Sequence, residues 1–487
     1  MPGIPQLRSY VDGEWRGDGV KPDINPARPT EVVAIVQPAD ARIATDAIEA
    51  AHRAFDKWRA TPAPMRGEIL REAADLIQQR ADLIAVDFAR EEGKAIAEAK
   101  GEVSRAVAIF RYYAAQTLEP DGETYPSHSA DTLLLAFREP LGVVLAITPW
   151  NFPAAIPAWK IAPALAYGNT VVWKPAELVP LTSVRICEAL VDAGLPPGVL
   201  NLVLGESRQI GDTMVTHPQL EAITFTGSNE VGRRIQSLAT ATGTKVQLEL
   251  GGKNPAVVLA DADLGQAAEL VARGAFLSAG QKCTATSRVI VHRKVFEPFC
   301  QRLAEIARTW RVGDPLETGT QVGPLVSKAR LDAVADYLKL AQTEGATAMA
   351  GGSPADDLGD GFFIRPTVLV GLPAQSRVVR EEIFGPVAAV LPCDDLSSAL
   401  CLANDTKFGL SASLFTRDLG STLRFVRELD AGVIKINQES AGLEFQVPFG
   451  GVKASSSGSR EQGKVARDFF TRWKTLYLDP PATRDKS

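Results

Sequence analysis

Apolar residues recur at helical spacing between residues 41 and 117. Ile48, Ala51, Phe55 and Trp58 follow one another at intervals of three and four residues, and similar stripes run through the rest of this segment. Such intervals place side chains on one face of an α-helix. The segment is therefore predicted to form helices that face a core. The first 40 or so residues are rich in Pro and Gly and are predicted to form short extended pieces.

The pattern changes near residue 132 into short apolar runs separated by amphipathic segments of helix length. Near-continuous apolar strands that alternate with helices are typical of a buried parallel sheet. Such a sheet binds ligands at the carboxyl ends of its strands. The runs are TLLLAFR (132–138), GVVLAIT (142–148), NTVVWK (169–174), VLNLVLG (199–205), AITFTG (222–227) and KVQLEL (245–250).

The same alternation restarts after residue 252, with a helix to about 279, a strand SRVIVH (287–292) and the segment VFEPFCQRLAEIARTW (295–310). A second α/β domain is therefore predicted over 252–450. The strand-like tail FFTRWKTLYLD (469–479) has no later helix to cover it. Both this tail and TLLLAFR would leave unpaired edges in a single chain, so at least a dimer is expected.

Composition and charge narrow the class of protein. The 487 residues are too many for one ordinary core, and 45% hydrophobic with 23% charged residues is typical of a soluble globular protein. A net charge of -6 without a dense Lys/Arg block argues against nucleic acid as a partner. Neither a secretory leader nor an apolar run of about 18 residues is found, so no membrane association is expected. Five irregularly spaced cysteines and four histidines indicate a reducing, cytoplasmic location and no metal site.

No G-x-G-x-x-G follows any predicted strand, so a dinucleotide site must depend on other turns. In FTGSNEVG (225–232), Gly227 permits a tight turn and Ser228 is placed to cap a helix whose amide groups can hold a pyrophosphate. In WKPAE (173–177), Lys174 and Glu177 can grip the hydroxyls of a ribose, and the carboxylate would repel a 2′-phosphate. The alternatives are an ordinary strand–helix turn and an exposed ion pair.

Three further residues carry chemistry. PWNFP (149–153) fixes the Asn151 amide between two prolines at a strand end, and LELGGK (248–253) places Glu249 where burial of a carboxylate is costly unless it is paired or used. In SAGQKCTATSR (278–288), small neighbours around Cys283 leave room for a carbonyl group beside the thiol. The alternatives are a solvated strand end for Glu249 and a buried filler thiol for Cys283.

Seven separated stretches resemble the aldehyde dehydrogenase superfamily, and the resemblance covers nearly the whole chain. They are PWNFP, WKPAE, FTGSNEVG, LELGGK, GQKCTATSR, EEIFGPV (381–387) and PFGGVKASSSGSREQG (448–463). The resemblance implies an α/β fold with a Rossmann-like dinucleotide-binding domain over 1–120 and 141–251 and an α/β catalytic domain over 252–450. It also implies an oligomerisation and bridging β-extension over 121–140 and 451–487 that pairs between subunits in a homodimer or homotetramer.

The resemblance also implies roles for individual residues. Cys283 matches the nucleophile, Glu249 the general base that favours hydrolysis to a free acid, and Asn151 the amide that completes an oxyanion hole with the Cys283 N–H. NAD is the expected cofactor, with NADP as an alternative. The residues expected to contact it are Ile147, Thr148, Pro149, Trp150, Lys174, Glu177, Gly205, Gly211, Phe225, Gly227, Ser228, Leu250, Glu382 and Phe384.

Within the superfamily the chain resembles the bacterial α-ketoglutarate semialdehyde (2,5-dioxopentanoate) dehydrogenases, through GQKCTATSR, residues 156–180 and DFFTRWKTLY (468–477). Oxidation of that small-molecule aldehyde is therefore expected, with Trp159 and Phe445 in the substrate funnel. The loop NQESAGLEFQVPFGG (437–451) departs from the pattern of that group at Glu439 and Glu444. Loop carboxylates usually face water, which is the expectation for both.

Other substrates and one other class stay open at this point. Succinate or glutarate semialdehyde would need a cation for the distal carboxylate, for which Arg288 is the available residue. A broad-specificity enzyme for aliphatic or aromatic aldehydes would need only an apolar funnel. A cofactor-binding structural protein without catalysis is the remote alternative. The side chain of Lys282 either lowers the pKa of the neighbouring thiol or points away from it.

Overall fold

The computed structural model describes residues 3–480, so residues 481–487 of the predicted bridging segment lie outside the described part. Short strands come first and four helices follow, as the sequence pattern predicts. Asp40 begins the first helix by accepting the Ile43 N–H at 2.8 Å. These elements are β1 (Gln6–Leu7), β2 (Ser9–Val11), β3 (Glu14–Arg16), β4 (Lys21–Asn25), β5 (Arg28–Val36), α1 (Ala41–Ala60), α2 (Ala63–Gln79), α3 (Ala81–Glu92) and α4 (Ile96–Gln116).

The middle of the chain alternates strands and helices at the positions predicted from the apolar runs. Its elements are β6 (Gly122–Tyr125), β7 (Leu133–Pro140), β8 (Val143–Thr148), α5 (Ala155–Ala166), β9 (Thr170–Pro175), α6 (Pro180–Asp192), β10 (Leu200–Leu202), α7 (Ser207–Val215), β11 (Leu220–Thr226), α8 (Asn229–Thr242) and β12 (Lys245–Glu249).

The second half continues the alternation and ends in a strand. Its elements are β13 (Asn254–Val258), α9 (Leu264–Phe276), β14 (Thr286–His292), α10 (Phe296–Thr309), α11 (Lys328–Thr343), β15 (Thr347–Ala350), β16 (Thr367–Val370), α12 (Arg377–Arg380), β17 (Val387–Cys393), α13 (Leu396–Asn404), β18 (Ser411–Phe415), α14 (Leu419–Glu428), β19 (Val433–Ile436), β20 (Ser456–Ser457), α15 (Ala466–Phe470) and β21 (Thr471–Leu478).

The larger sheet has eight strands in the order β20-β12-β11-β8-β9-β10-β2-β3. Strands β12, β11, β8, β9 and β10 are parallel, and helices cover both faces of the sheet. Full burial of a Val, Leu or Ile side chain contributes about 1.5–3 kcal/mol, which explains why these strands read as continuous apolar runs. The carboxyl ends of β8, β9, β11 and β12 therefore meet at one edge.

A second sheet of seven strands has the order β15-β16-β17-β14-β13-β18-β19, and only the β15 pairing is antiparallel. All of its strands lie within the predicted second domain. Strand β20, which belongs to the predicted bridging segment, instead pairs antiparallel with β12 at the edge of the larger sheet.

The two strands that the sequence leaves without partners pair with each other. Strand β21 runs antiparallel to β7 from Thr471 opposite Pro140 to Leu478 opposite Leu133, and β6 covers the other edge of β7. The expectation that each strand needs a second subunit for its first partner is therefore wrong, because sequence alone does not show that segments more than 330 residues apart meet. Within residues 3–480, the outer edges of β21 and β6 still have no strand beside them. No helix of the described chain is long and apolar enough to cross a bilayer.

Candidate active site

Cys283 lies in a tightly constrained loop between α9 and β14. Ser278, Ala279 and Gly280 all have positive φ, at 56°, 51° and 67°. The left-handed region is costly for the first two residues, so surrounding contacts must hold them there. Glu98 accepts hydrogen bonds from the Ser278 N–H at 2.9 Å and from its hydroxyl at 2.7 Å. The loop is thus fixed from helix α4 just before the thiol.

Two cavities meet at Cys283. The strand-end cavity encloses about 260 Å³ and opens at the carboxyl ends of β8, β11 and β12. The funnel cavity encloses about 400 Å³ and lies on the other side of the thiol, toward α4 and the loop 437–451. The wall of the strand-end cavity includes Pro149, Trp150, Asn151, Thr226, Gly227, Ser228, Leu250, Gly251, Cys283, Arg330, Glu382 and Phe384. A group bound to Cys283 is therefore reachable from both sides.

The Asn151 amide is fixed beside the thiol loop. Its Nδ2 donates to the Gln281 carbonyl oxygen at 2.9 Å, and its own backbone carbonyl accepts from Lys94 Nζ at 2.5 Å. A carboxamide nitrogen has two N–H groups, so one remains for a ligand oxygen. Asn151 and Cys283 line the same cavity, as an oxyanion-binding pair requires.

The thiol of Cys283 is partly exposed to the cavities, yet its surroundings disfavour the thiolate. Burial and the nearby Glu382 and Glu249 carboxylates raise the pKa of Cys283 to about 12. The N–H groups of Cys283 and Thr284 favour the thiolate, but their effect is smaller. Without ligands the thiol is therefore protonated at neutral pH, and forming the nucleophile requires removal of that proton.

Glu249 is buried at the end of β12 but lies in the wall of neither cavity. Its Oε2 accepts from the Ser456 hydroxyl at 2.6 Å, while Oε1 has no hydrogen-bond partner. Burial and the neighbouring Glu461 carboxylate raise the pKa of Glu249 well above its usual range. Glu461 is in turn paired with Lys160 and accepts the Trp159 indole N–H at 2.9 Å. The alternative of a solvated strand end is therefore wrong for Glu249.

The turn after β11 has the geometry predicted for it. Ser228 caps α8 by accepting the Val231 N–H at 3.3 Å, and Gly227 lies directly over the Phe225 ring, where a Cβ would come within 2.5 Å of Cζ. Only glycine allows this close approach. Gly227 and Ser228, which lead into α8, line the strand-end cavity, and the amide groups at the start of a helix suit an anionic phosphate, so the residues present fit a dinucleotide.

The opposite wall of this cavity is formed by Glu382 and Phe384. Glu382 Oε1 accepts the Gly252 N–H at 3.0 Å, and a Cβ at Gly251 would lie 2.2 Å from its Oε2. Phe384 has a φ of 57°, and its ring meets the Trp150 indole edge-on at 5.4 Å between centroids. A planar ring bound here would contact both a carboxylate and an aromatic face.

A third, smaller cavity lies at the end of β9 and is lined by Lys21, Glu177 and Gly205. Glu177 accepts from Lys21 at 2.9 Å and from the Ser207 N–H at 2.8 Å, rather than pairing with Lys174. Burial lowers the pKa of Lys174 to about 8, and its Nζ donates to the Pro175 carbonyl.

The other residues expected to contact a cofactor occupy less direct positions. Thr148 accepts the Trp173 indole N–H at 2.9 Å below the sheet edge, and Ile147 packs partly into the core behind it. Gly211 lies inside α7 and borders none of these three cavities.

The funnel cavity corrects several expectations about the substrate. Trp159 lines it, but Phe445 packs against Tyr112 at 5.6 Å between ring centroids, and Phe449 takes the place expected for it. Arg288 is buried elsewhere, where it donates to the carbonyls of residues 253, 402 and 403, so it cannot grip a substrate. Glu444 is exposed as expected.

Charged residues that sequence reasoning missed line the same cavity. They are Lys94, Glu98, Glu102, Arg105 and Arg273, and they line the cavity beside Lys282 and Glu439, which the sequence had already singled out. Helix α4 carries Glu98, Glu102 and Arg105 at spacings of four and three residues, which places them on one face of the helix. Charged residues on the inward face of a predicted core helix are unusual, and they could have indicated that this face lines a cavity. The expectation of a solvent-facing Glu439 is wrong, since it lines the cavity and its Oε2 has no partner.

The model of the aldehyde dehydrogenase family matches residues 15–476. The chain belongs to the aldehyde dehydrogenase family. It is 46% identical to the alpha-ketoglutaric semialdehyde dehydrogenase of Bacillus subtilis over 97% of this chain and 98% of that protein. It is 45% identical to the alpha-ketoglutarate semialdehyde dehydrogenase of Haloferax volcanii over 96% of this chain and 98% of that protein.

A solved structure of betaine aldehyde dehydrogenase from Staphylococcus aureus in complex with NAD+ has a TM-score of 0.94 to this chain. It is 35% identical over 98% of this chain and 96% of that one. The predicted family and α/β fold class are thus confirmed. So is the enzyme class, an NAD(P)-dependent aldehyde dehydrogenase, and a catalytically silent structural protein is excluded.

Proposed function

We propose that this aldehyde dehydrogenase oxidises α-ketoglutarate semialdehyde to α-ketoglutarate, with Cys283 as the nucleophile. The observation that carries the proposal is the position of Cys283 where the strand-end and funnel cavities meet. A substrate that enters through the funnel reaches the thiol on one side, and a nicotinamide in the strand-end cavity faces the same atom from the other.

The chemistry follows from the residues around the thiol. The Cys283 thiol releases its proton to solvent water as the sulfur adds to the aldehyde carbon, and the spare Asn151 N–H with the Cys283 backbone N–H holds the resulting oxyanion. A dinucleotide held by Ser228, Glu382 and Phe384 would supply a nicotinamide as the hydride acceptor, and the adduct oxidised in this way is a thioester on Cys283. Removing one such donor costs on the order of 100-fold in rate.

Glu249 completes the reaction as the base for hydrolysis. A buried carboxylate with a raised pKa and a free oxygen can take a proton from water as the water attacks the thioester. The products are the free carboxylate, a proton and the regenerated thiol. Because the side chain is now held by Ser456, it must rotate toward Cys283 for this step.

We further propose that NAD is preferred over NADP. Glu177 lines the third cavity as a carboxylate, since hydrogen bonds from Ser207 and Lys21 lower its pKa against the effect of burial. A carboxylate accepts both hydroxyl protons of a ribose and repels a 2′-phosphate. The Lys21 ammonium beside it weakens that repulsion, so NADP is the cofactor to compare.

The substrate assignment rests on the two relatives named above and on the cationic lining of the funnel. Lys94, Arg105, Arg273 and Lys282 all face a cavity large enough for a short dicarbonyl acid. Succinate and glutarate semialdehydes carry the same carboxylate and are the competing substrates. An apolar funnel for unfunctionalised aldehydes is disfavoured by these charges.

The test is a substrate panel with the purified protein. 2,5-Dioxopentanoate, succinate semialdehyde, glutarate semialdehyde, pentanal and benzaldehyde are each assayed with NAD+ and NADP+ by kcat/KM. The proposal predicts that 2,5-dioxopentanoate with NAD+ ranks first. A higher kcat/KM for pentanal or benzaldehyde would contradict it. Cys283→Ala should abolish turnover with every aldehyde and retain NAD+ binding.

We propose the same domain division as the sequence suggests, with the eight-stranded sheet in the dinucleotide-binding domain and the seven-stranded sheet in the catalytic domain.

We also propose a homodimer or homotetramer, because β21 presents Trp473, Tyr477 and Leu478 to solvent beside its open edge. A cytoplasmic location is proposed from the five free cysteines. Sedimentation and fractionation test these statements.

A further inference from the structure

Lys282 is a buried ammonium group in the wall of the funnel cavity. Its residue is 9% exposed, and its Nζ donates to the Arg273 carbonyl oxygen at 3.2 Å. Within residues 3–480, no carboxylate lies within ion-pair distance of it. An ammonium group has three donors, so two remain unused.

A charge in this position is costly without a counter-ion. Burial lowers the pKa of Lys282, while Glu98 and Glu439 act against that effect from across the cavity. Glu98 is already hydrogen-bonded to Ser278 at both the N–H and the hydroxyl. The charged form of Lys282 is thus stabilised by the electrostatic attraction of these carboxylates at a distance, without a direct ion pair.

Two of the other three cations of the funnel have polar partners, whereas Arg273 is exposed to solvent and its side chain makes no hydrogen bond or ion pair within residues 3–480. Lys94 pairs with Glu102 at 2.7 Å and sits over the Phe152 ring at 3.8 Å from its centroid. Arg105 donates to the Leu443 carbonyl oxygen. Four cationic and three anionic side chains line the cavity, so the lining carries a net positive charge, and Lys282 is the buried cation of the lining that has no carboxylate partner among the described residues.

Lys282 is also the residue next to the nucleophile. Consecutive Cα atoms are about 3.8 Å apart, and both side chains border the funnel. An aldehyde carbon bound to Cys283 therefore places the far end of a short chain within reach of the ammonium.

We propose that Lys282 binds the distal carboxylate of the substrate and selects ω-aldehyde acids over neutral aldehydes. This inference deepens the proposed function and rests on it. The bound carboxylate takes the two unused N–H donors and supplies the counter-ion that the side chains of the cavity wall do not provide. Lys282 is thus a substrate-binding residue, and its side chain does not act on the thiol.

The test compares one carboxylated and one neutral aldehyde of equal chain length. Lys282→Met keeps the length of the side chain and removes its charge. For 2,5-dioxopentanoate we expect KM to rise on the order of 10–100-fold, the effect of losing a charge-assisted hydrogen bond, with a smaller change in kcat. For pentanal KM should stay within about twofold of the parent protein.

Lys294→Met is the matched control, because Lys294 is an exposed lysine outside the three cavities. This substitution should change the KM of neither substrate. Equal losses with both aldehydes in Lys282→Met, or an unchanged KM for 2,5-dioxopentanoate, would overturn the inference. Pentanal turnover by the variant shows that it is folded.

A second measurement tests the carboxylate site whichever aldehyde gives the highest kcat/KM. Butyrate, a carboxylate without an aldehyde, should inhibit the parent protein competitively against pentanal and should lose that effect in Lys282→Met. If the parent protein prefers pentanal, the proposed function fails while butyrate inhibition still supports the carboxylate site. Equal inhibition of both proteins would reject Lys282 as its ligand.

Discussion

Gly251→Ala tests the proposed cofactor cavity through one methyl group. The added Cβ would lie 2.2 Å from Glu382 Oε2 and 2.7 Å from its Cδ, so the carboxylate must move. The Gly252 N–H then loses its 3.0 Å bond to Glu382, and the carboxylate no longer faces the cofactor. A hydrogen bond to a charged group contributes about 1.5–3 kcal/mol, and about 1.4 kcal/mol changes affinity tenfold.

We therefore expect the Kd of NAD+ to rise on the order of 10–100-fold, measured by calorimetric titration, with thermal unfolding as the check on folding. Gly211→Ala is the control, because a Cβ there meets nothing within 4 Å and alanine suits the interior of α7. An NAD+ affinity within twofold of the parent protein for Gly251→Ala would refute the role of Glu382. A matching loss in Gly211→Ala would show that the strand-end cavity is wrongly assigned.

Three further predictions concern buried ionisable groups. Without cofactor, iodoacetamide should alkylate Cys283 slowly, at a rate that rises about tenfold per pH unit below its pKa of about 12; a plateau near neutral pH would contradict this. Burial raises the pKa of Glu92 from 4.5 to about 8, so the folded protein keeps a proton that the unfolded chain loses, and stability falls as pH rises between those values. In Glu92→Gln the thermal midpoint should fall less steeply with rising pH than in the parent protein, and an unchanged dependence on pH would reject this role of Glu92. Lys160→Met leaves Glu461 buried without its ion-pair partner and should lower stability by about 3–5 kcal/mol in urea unfolding, whereas a neutral effect would show that the ion pair contributes no net stability.

The local pattern predicted most of the helices and strands because burial acts residue by residue. The apolar run at 142–148 became β8, and the stripe containing Ile48 and Trp58 became the buried face of α1. The Ser228 cap also followed from local chemistry, since its hydrogen bond reaches only three residues along the chain.

Long-range contacts explain what the sequence could not predict. Glu249 is held by Ser456, more than 200 residues later, so its direction away from the cavities has no local signal. Phe449 rather than Phe445 borders the funnel, because the path of the loop depends on the bond from Arg105 of α4 to the Leu443 carbonyl and on the bond from the Gly451 N–H to Ser456 of β20. Arg288 is the clearest case, since the three carbonyls that bind it come from two separate segments.

The most direct test of Cys283 as the nucleophile is to trap its acyl intermediate. Glu249→Ala is mixed with 2,5-dioxopentanoate and NAD+, quenched, digested and examined by mass spectrometry while NADH formation is followed. We expect a stoichiometric burst of NADH, slow turnover afterwards, and the acyl mass on the peptide that contains Cys283. Steady full turnover without an adduct, or an acyl group on another of the five cysteines, would contradict it.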